Sequence, residues 1–141
     1  MIIIATIRGI TVKIGADTTG LDAALKDVNK TSREISKELR EVERLLKFNP
    51  HDTELLAQKQ KLLANQVENT REKLNRLKEA QAQVNQQFQE GKISEEQYRA
   101  FQRELIKTES QLKNYEKQLK AVNLQNHEFN QKMQEAGKKL Q

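Results

Sequence analysis

The chain has 141 residues, a net charge of +5 and no cysteine; charged residues make up 32% of it and aromatic residues 4%. The lack of cysteine excludes disulfides, a thiol nucleophile and a zinc–sulfur site. Few large apolar side chains are available for a globular core, and the richness in Ala, Glu, Lys, Leu, Arg and Gln is typical of coiled coils and long helices.

Residues 1–20 form a strand and turn segment. Ile10, Val12 and Ile14 alternate with Thr11 and Lys13, which predicts a β-strand. A lone strand or hairpin is marginal by itself, so this segment must pair with another chain, dock on the helices or stay mobile. The apolar run at its start is far shorter than the ~20 residues of a membrane span and lacks the features of a signal peptide. We therefore expect a soluble chain.

Residues 21–48 are predicted to form the first helix. Its apolar side chains recur at alternating spacings of four and three residues, which is a heptad pattern. Pro50 follows and disfavours a helical Asn49, and Asp52 or Thr53 can cap the next helix. Together with the strand, the stripe is our candidate surface for self-association: Leu25, Val28, Ile35, Leu39, Val42, Leu46, Ile10, Val12 and Ile14.

Residues 53–141 are predicted to form a long helical hairpin, with helices over 53–89 and 94–140 and a turn at 90–93. Gly91 can take the left-handed conformation that ends a helix. Ser94 and Gln97 have the spacing of a capping box, and Ile93 has the position of a hydrophobic staple. So short a connection forces the two helices to lie antiparallel.

The two long helices carry matching heptad stripes. When the chain is folded at Gly91, paired stripe positions have residue numbers that sum to a near-constant value, as an antiparallel pair requires. Gln60 then meets Asn126, and these amides either bond to each other in the core or both face water. The predicted core is Leu56, Leu63, Val67, Leu74, Leu77, Val84, Phe88, Tyr98, Phe101, Leu105, Leu112, Tyr115, Leu119 and Val122.

The fold class that follows is mainly α: a long antiparallel coiled-coil hairpin with an additional N-terminal helix, preceded by a short β-strand segment. The apolar stripes are narrow, whereas a helix inside a three-helix bundle needs a wider apolar face. We therefore favour a two-stranded hairpin over a compact bundle. The first helix is expected to pack on its base, to cross to a second copy, or both.

The residues that carry chemistry are isolated from one another. His51 and His127 have no partner at metal-ligand spacing, and no glycine-rich phosphate loop is present. Acidic and basic residues are balanced in every segment, which argues against a nucleic-acid surface. We predict a non-enzyme with no catalytic residue, no cofactor, no metal and no small-molecule substrate.

Three stretches of the sequence resemble the N-terminal region of phage tail tape measure proteins, the minor tail proteins of long-tailed phages and prophages. They are "IRGITVKIGADTTGLDAALKDVNKTSREI", "LLKFNPHDTELLAQKQKLL" and "GKISEEQYRAFQRELIKTE". In that family a strand, an Ala-Asp pair and a small polar turn precede a long helix with regular leucines. Tape measure proteins are usually much longer, so the resemblance implies an N-terminal fragment.

The resemblance implies a structural role in tail assembly and tail-length determination. It implies a homo-oligomer that contacts the tail tube and tail assembly chaperone proteins, first in the host cytoplasm and then in the virion tail lumen. A folded-back hairpin complicates a strict ruler, so this segment is either a terminal hub or a hairpin that opens on assembly. The alternative is a cytoplasmic coiled-coil adaptor that binds a partner helix.

Overall fold

The computed structural model describes residues 4–7, 10–13 and 19–139, and it is mainly helical. Four helices pack against one another: α1 (Thr19–Ala24), α2 (Lys26–Phe48), α3 (Thr53–Gln89) and α4 (Glu95–Lys139). The sequence predicts helices over 21–48, 53–89 and 94–140. The main difference is therefore that the first predicted helix is divided at Leu25.

Leu25 separates α1 from α2 with a φ of −104° and a ψ of 4°. Its N–H still donates to the Leu21 carbonyl at 3.1 Å, and its carbonyl accepts from the Asn29 N–H at 2.9 Å. Helical hydrogen bonding therefore crosses the break, and both Leu21 and Leu25 are buried.

Two short strands precede the helices. Strand β1 (Ile4–Ile7) pairs antiparallel with β2 (Ile10–Lys13), so that Ile4 lies opposite Lys13 and Ile7 opposite Ile10. Strand β1 lies against α3, and β2 lies against α1. Ile14, which the alternating pattern includes, lies outside the described residues.

The turn between α2 and α3 contains the only proline. Asn49 follows α2 with a non-helical backbone, φ −142° and ψ 76°, and the residue before a proline disfavours the helical conformation. Asp52 then caps α3, because its Oδ1 accepts from the Leu55 N–H at 2.9 Å. Asn49 Nδ2 also donates to the other oxygen of Asp52 at 3.2 Å.

The end of α3 has the hydrogen bonds of a Schellman motif. Gly91 has a φ of +70°, its N–H donates to the Phe88 carbonyl at 3.0 Å, and the Lys92 N–H donates to the Gln87 carbonyl at 2.9 Å. Glycine is suited to this position because the left-handed conformation is strained for residues with a Cβ.

The start of α4 has both hydrogen bonds of the capping box. Gln97 N–H donates to Ser94 Oγ at 3.1 Å, and Ser94 N–H donates to Gln97 Oε1 at 2.7 Å. Ile93 is buried, and the rings of Phe88 and Tyr98 stack with centroids 4.3 Å apart. Capping and apolar contact thus fix the chain between α3 and α4.

The core has two clusters of buried side chains, and α2 contributes to both. The cluster nearer the α3–α4 connection consists of Leu21, Ala24, Leu25, Val28, Leu77, Ala80, Val84, Ile93 and Phe101. The other consists of Ile35, Leu39, Leu63 and Val122. Helix α2 therefore packs along α3 within the same chain rather than only at one end of it.

Candidate interaction surfaces

The contact between α2 and α3 contains polar side chains of α3 that bind the backbone of α2. Gln66 Nε2 donates to the Ser32 carbonyl and to Ser36 Oγ, each at 3.1 Å. Asn69 Nδ2 donates to the Val28 carbonyl at 2.8 Å. Hydrogen bonds of this kind fix the position of one helix along the other, since each amide needs a particular carbonyl.

Arg76 makes the largest of these polar contacts. Its guanidinium binds both carboxylate oxygens of Asp27, at 2.6 and 3.0 Å, and donates to the Ala24 carbonyl at 3.2 Å and to Glu72 Oε1 at 3.2 Å. The Arg76 side chain is 11% exposed, whereas that of Asp27 is 65% exposed. Hydrogen bonding from Arg76 lowers the pKa of Asp27 more than desolvation raises it.

Three buried amide atoms have no hydrogen-bond partner in the part of the chain that the structure describes. They are Gln66 Oε1 and both terminal atoms of Gln87. A buried polar atom without a partner reduces stability by about 1–3 kcal/mol.

The predicted coiled-coil core residues lie inward to different degrees. Leu56, Leu63, Val67, Leu74, Leu77, Val84, Phe101 and Val122 are buried. The remaining six are half-buried: Phe88, Tyr98, Leu105, Leu112, Tyr115 and Leu119. Most of the half-buried side chains belong to α4, which packs on α3 but lies less deeply in the molecule.

Polar side chains also connect α3 and α4. Asn126 Nδ2 donates to Gln60 Oε1 at 2.9 Å, and Gln60 Nε2 donates to Asn123 Oδ1 at 2.7 Å. The sequence left open whether Gln60 and Asn126 bond to each other or both face water. In the structure they bond to each other, although both stay half-exposed. Lys73 Nζ also lies 2.7 Å from Glu104 Oε1.

The stripe that the sequence assigns to self-association faces α3 of the same chain. Its buried members are Leu25, Val28, Ile35, Leu39 and Val42, and Leu46 is half-buried. Ile10 and Val12 lie in β2, and Ile14 is outside the described residues. A second copy therefore has no access to most of this stripe unless α2 leaves α3.

Sequence reasoning missed the side of α3 that receives α2. Positions 62, 66, 69, 76 and 80 lie on one side of the helix by heptad spacing, but only Leu62 and Ala80 among them are apolar. Long polar side chains at the other positions resemble a solvated face in the sequence. The available signal was the small residue Ala80 on this second stripe, which lets another helix approach closely.

The described residues contain no group of three or more His, Cys, Asp or Glu side chains arranged to hold a metal ion. Among the same residues, no helix is both long enough and apolar enough to cross a membrane. No protein family, curated protein or solved structure matches this chain.

Proposed function

We propose that this chain is a structural, non-enzymatic segment of a phage tail tape measure protein that acts in tail assembly and tail-length determination. The observation that carries the proposal is the length of α3 and α4, which have 37 and 45 residues. At 1.5 Å per residue these helices are about 55 and 67 Å long. Because the rise per residue is constant, residue number in such helices converts directly to length.

The finer architecture belongs to the same proposal: α3 and α4 form an antiparallel coiled coil, and the strand segment at the N-terminus docks on the helices. Contacts between Gln60 and Asn126 and between Lys73 and Glu104 support the antiparallel arrangement. The capping box and Schellman motif support a fixed connection between the two helices.

The proposed partners are further copies of the chain, the tail tube protein and the tail assembly chaperones. The tube protein polymerises around the rods in the host cytoplasm, and the rods then occupy the tail lumen. The exposed outer faces of the helices carry mostly charged and amide side chains, which suits contacts with several surrounding protein subunits.

The experiment is co-assembly with the tail tube protein encoded by the same genome. Tube protein is allowed to polymerise with and without this chain, and the tubes are sedimented and imaged by electron microscopy. We expect the chain to sediment only with polymerised tube and to lie in its lumen. A chain that stays in the supernatant while tubes form normally would contradict the proposal.

A cytoplasmic adaptor that binds a partner helix is the second candidate. The observation in its favour is a pair of exposed apolar side chains on the outer face of α4, Ile106 and Leu124, with exposed fractions of 63% and 56%. The adaptor predicts capture of a helical host protein that Ile106→Glu with Leu124→Glu abolishes. The tape measure proposal predicts that the same double variant still enters tubes.

A further inference from the structure

The outer face of α2 carries a continuous row of basic side chains, which we name the basic ridge. Its members recur at alternating spacings of four and three residues, so they lie on one side of the helix. All seven are exposed: Lys26, Lys30, Arg33, Lys37, Arg40, Arg44 and Lys47. At 1.5 Å per residue the ridge is about 30 Å long.

Most of the ridge is not neutralised within the chain. Arg44 pairs with Glu41, and Arg40 donates to the Ser36 carbonyl. The other five side chains have no ion pair among the residues that the structure describes. Like charges three and four residues apart destabilise a helix, so a ridge of this length favours an acidic partner surface.

An acidic surface lies beside the ridge, on the side of α2 that adjoins α3. A groove of about 550 Å³ between the helices is lined by Thr31, Ile35, Asn65, Glu68, Asn69 and Glu72, with no basic residue among them. Glu34, Glu38 and Glu41 continue the row of Thr31 along α2 by helical spacing and, with Lys37, line a second, open depression on the surface of α2. We name four of these carboxylates the acidic groove: Glu34, Glu38, Glu41 and Glu68. Glu41 also pairs with Arg44 of the same helix, and Glu72 is left out because it binds Arg76.

We propose that two copies of this chain associate by placing the basic ridge of one copy against the acidic groove of the other. The row of Glu34, Glu38 and Glu41 lies beside the ridge on α2. A two-fold axis parallel to α2, with the two copies of the helix parallel and side by side, therefore lets both contacts form at once. Charge complementarity over the length of α2 sets the register of the pair. The inference rests on the proposed function, because it names the surface through which a structural segment of this kind self-associates.

A nucleic acid is the competing occupant of the ridge. Phosphates approaching it would also meet the neighbouring carboxylates Glu34, Glu38 and Glu41, which repel them. A second copy has a basic row and an acidic row side by side, so it can place opposite charges against the ridge and the groove at the same time. The paired rows of opposite charge therefore favour another copy of the chain.

The test uses three triple charge reversals of the full chain. The ridge variant is Lys30→Glu, Arg33→Glu and Arg40→Glu; the groove variant is Glu34→Lys, Glu38→Lys and Glu68→Lys. The control reverses three exposed basic residues on α4: Arg103→Glu, Lys113→Glu and Lys117→Glu. The control has the same change in net charge as the ridge variant. Circular dichroism confirms that each variant remains helical, and light scattering gives the mass.

Wild type and the α4 control are expected to form pairs at about 50 mM salt and to separate at about 500 mM, where charges are screened within a few Å. The ridge and groove variants should each associate about 100-fold more weakly, because like charges then face each other. Their equimolar mixture should recover the mass of a pair, since the reversed ridge matches the reversed groove.

A wild-type chain that is monomeric at about 50 mM salt overturns the proposal. A mixture of helical ridge and groove variants that stays monomeric also overturns it. An α4 control that loses association as strongly as the ridge variant does so too. The ridge serves nucleic acid instead if three results occur together: monomeric wild type binds a DNA duplex, the ridge variant does not bind it, and the groove variant binds it more tightly. Sedimentation with tail tubes is a separate measurement, so either proposal can fail alone.

Discussion

Helix α3 packs against α4 on one side and against α2 on another, and hydrogen bonds from α3 side chains to backbone carbonyls distinguish the α2 side. Two consecutive residues illustrate this: Leu77 is fully buried in an apolar cluster, and Arg76 binds a carboxylate and a backbone carbonyl of the α1–α2 segment. Apolar burial stabilises without much regard to register, whereas hydrogen bonds need particular partners. The polar contacts of Gln66, Asn69 and Arg76 therefore fix where α1 and α2 lie along α3. The apolar clusters, to which α2 and α4 both contribute, stabilise both contacts.

Removing an apolar side chain from the heptad stripe should have the largest effect. Leu77→Ala leaves a cavity in a fully buried site and should lower the free energy of unfolding by about 2–5 kcal/mol. Urea unfolding followed by circular dichroism measures it. Leu124→Ala, at a site with 56% exposure, is the control and should change stability by less than about 0.5 kcal/mol. Similar losses in both variants would show that burial at Leu77 is not what stabilises the fold.

Arg76→Met should have a smaller and more local effect, about 1–3 kcal/mol. It leaves the Ala24 carbonyl without its donor, but Asp27 can be hydrated because its side chain is 65% exposed. Amide hydrogen exchange should become faster in α1 and the first turns of α2, and stay unchanged in the middle of α4. Faster exchange throughout α4 would mean that the polar contact supports the whole molecule rather than α2 alone.

The sequence predicted well the features that depend on the spacing of apolar residues and on local turn chemistry. Asp52 and Gly91 set the start and end of α3, and Ser94 sets the start of α4. The effect of each depends only on residues within one turn. The heptad stripe identified Leu63, Leu77 and other side chains that are buried. These features can be predicted without knowing which other segment of the chain packs nearby.

The placement of α2 depended on signals of another kind. Gln66, Asn69 and Arg76 look like solvent-facing residues in the sequence, and only the structure shows that backbone carbonyls of α1 and α2 lie opposite them. Counting charges by segment likewise concealed the basic ridge, because seven basic and six acidic residues nearly balance over residues 21–51 while most of them separate by face along α2. Balance in number says nothing about arrangement around a helix axis.

The two helix caps offer a finer comparison of the connections on either side of α3. Ser94→Ala removes the cap that begins α4, and Asp52→Ala removes the cap that begins α3. Each should lower stability by about 1 kcal/mol. Ser110→Ala, at an exposed position inside α4, is the matched control and should be neutral or slightly stabilising. A neutral Ser94→Ala would show that the buried Ile93 and the ring stack alone fix the connection between α3 and α4.

Acid should slightly weaken the contact between Arg76 and Asp27 and leave the apolar clusters unaffected. Arg76 lowers the pKa of Asp27 in the folded chain. The contribution of this ion pair to stability is therefore fully present above the ordinary pKa of Asp27, 3.8. That contribution is lost as the pH falls through the lower pKa of the folded state. Water screens this exposed carboxylate, so the loss should be below about 1 kcal/mol.

Asp27→Asn isolates that contribution from other carboxyls that titrate in the same range. Hydrogen bonds from Arg44 and Lys92 also lower the pKa values of Glu41 and Glu90, so wild type alone reports their sum. The difference in unfolding free energy between wild type and Asp27→Asn should be constant above pH 3.8 and shrink below it. The corresponding difference for Leu77→Ala should not change with pH, because a buried methylene does not titrate. A gap between wild type and Asp27→Asn that stays constant in acid would show that the charge of Asp27 does not cause the difference in stability between the two chains.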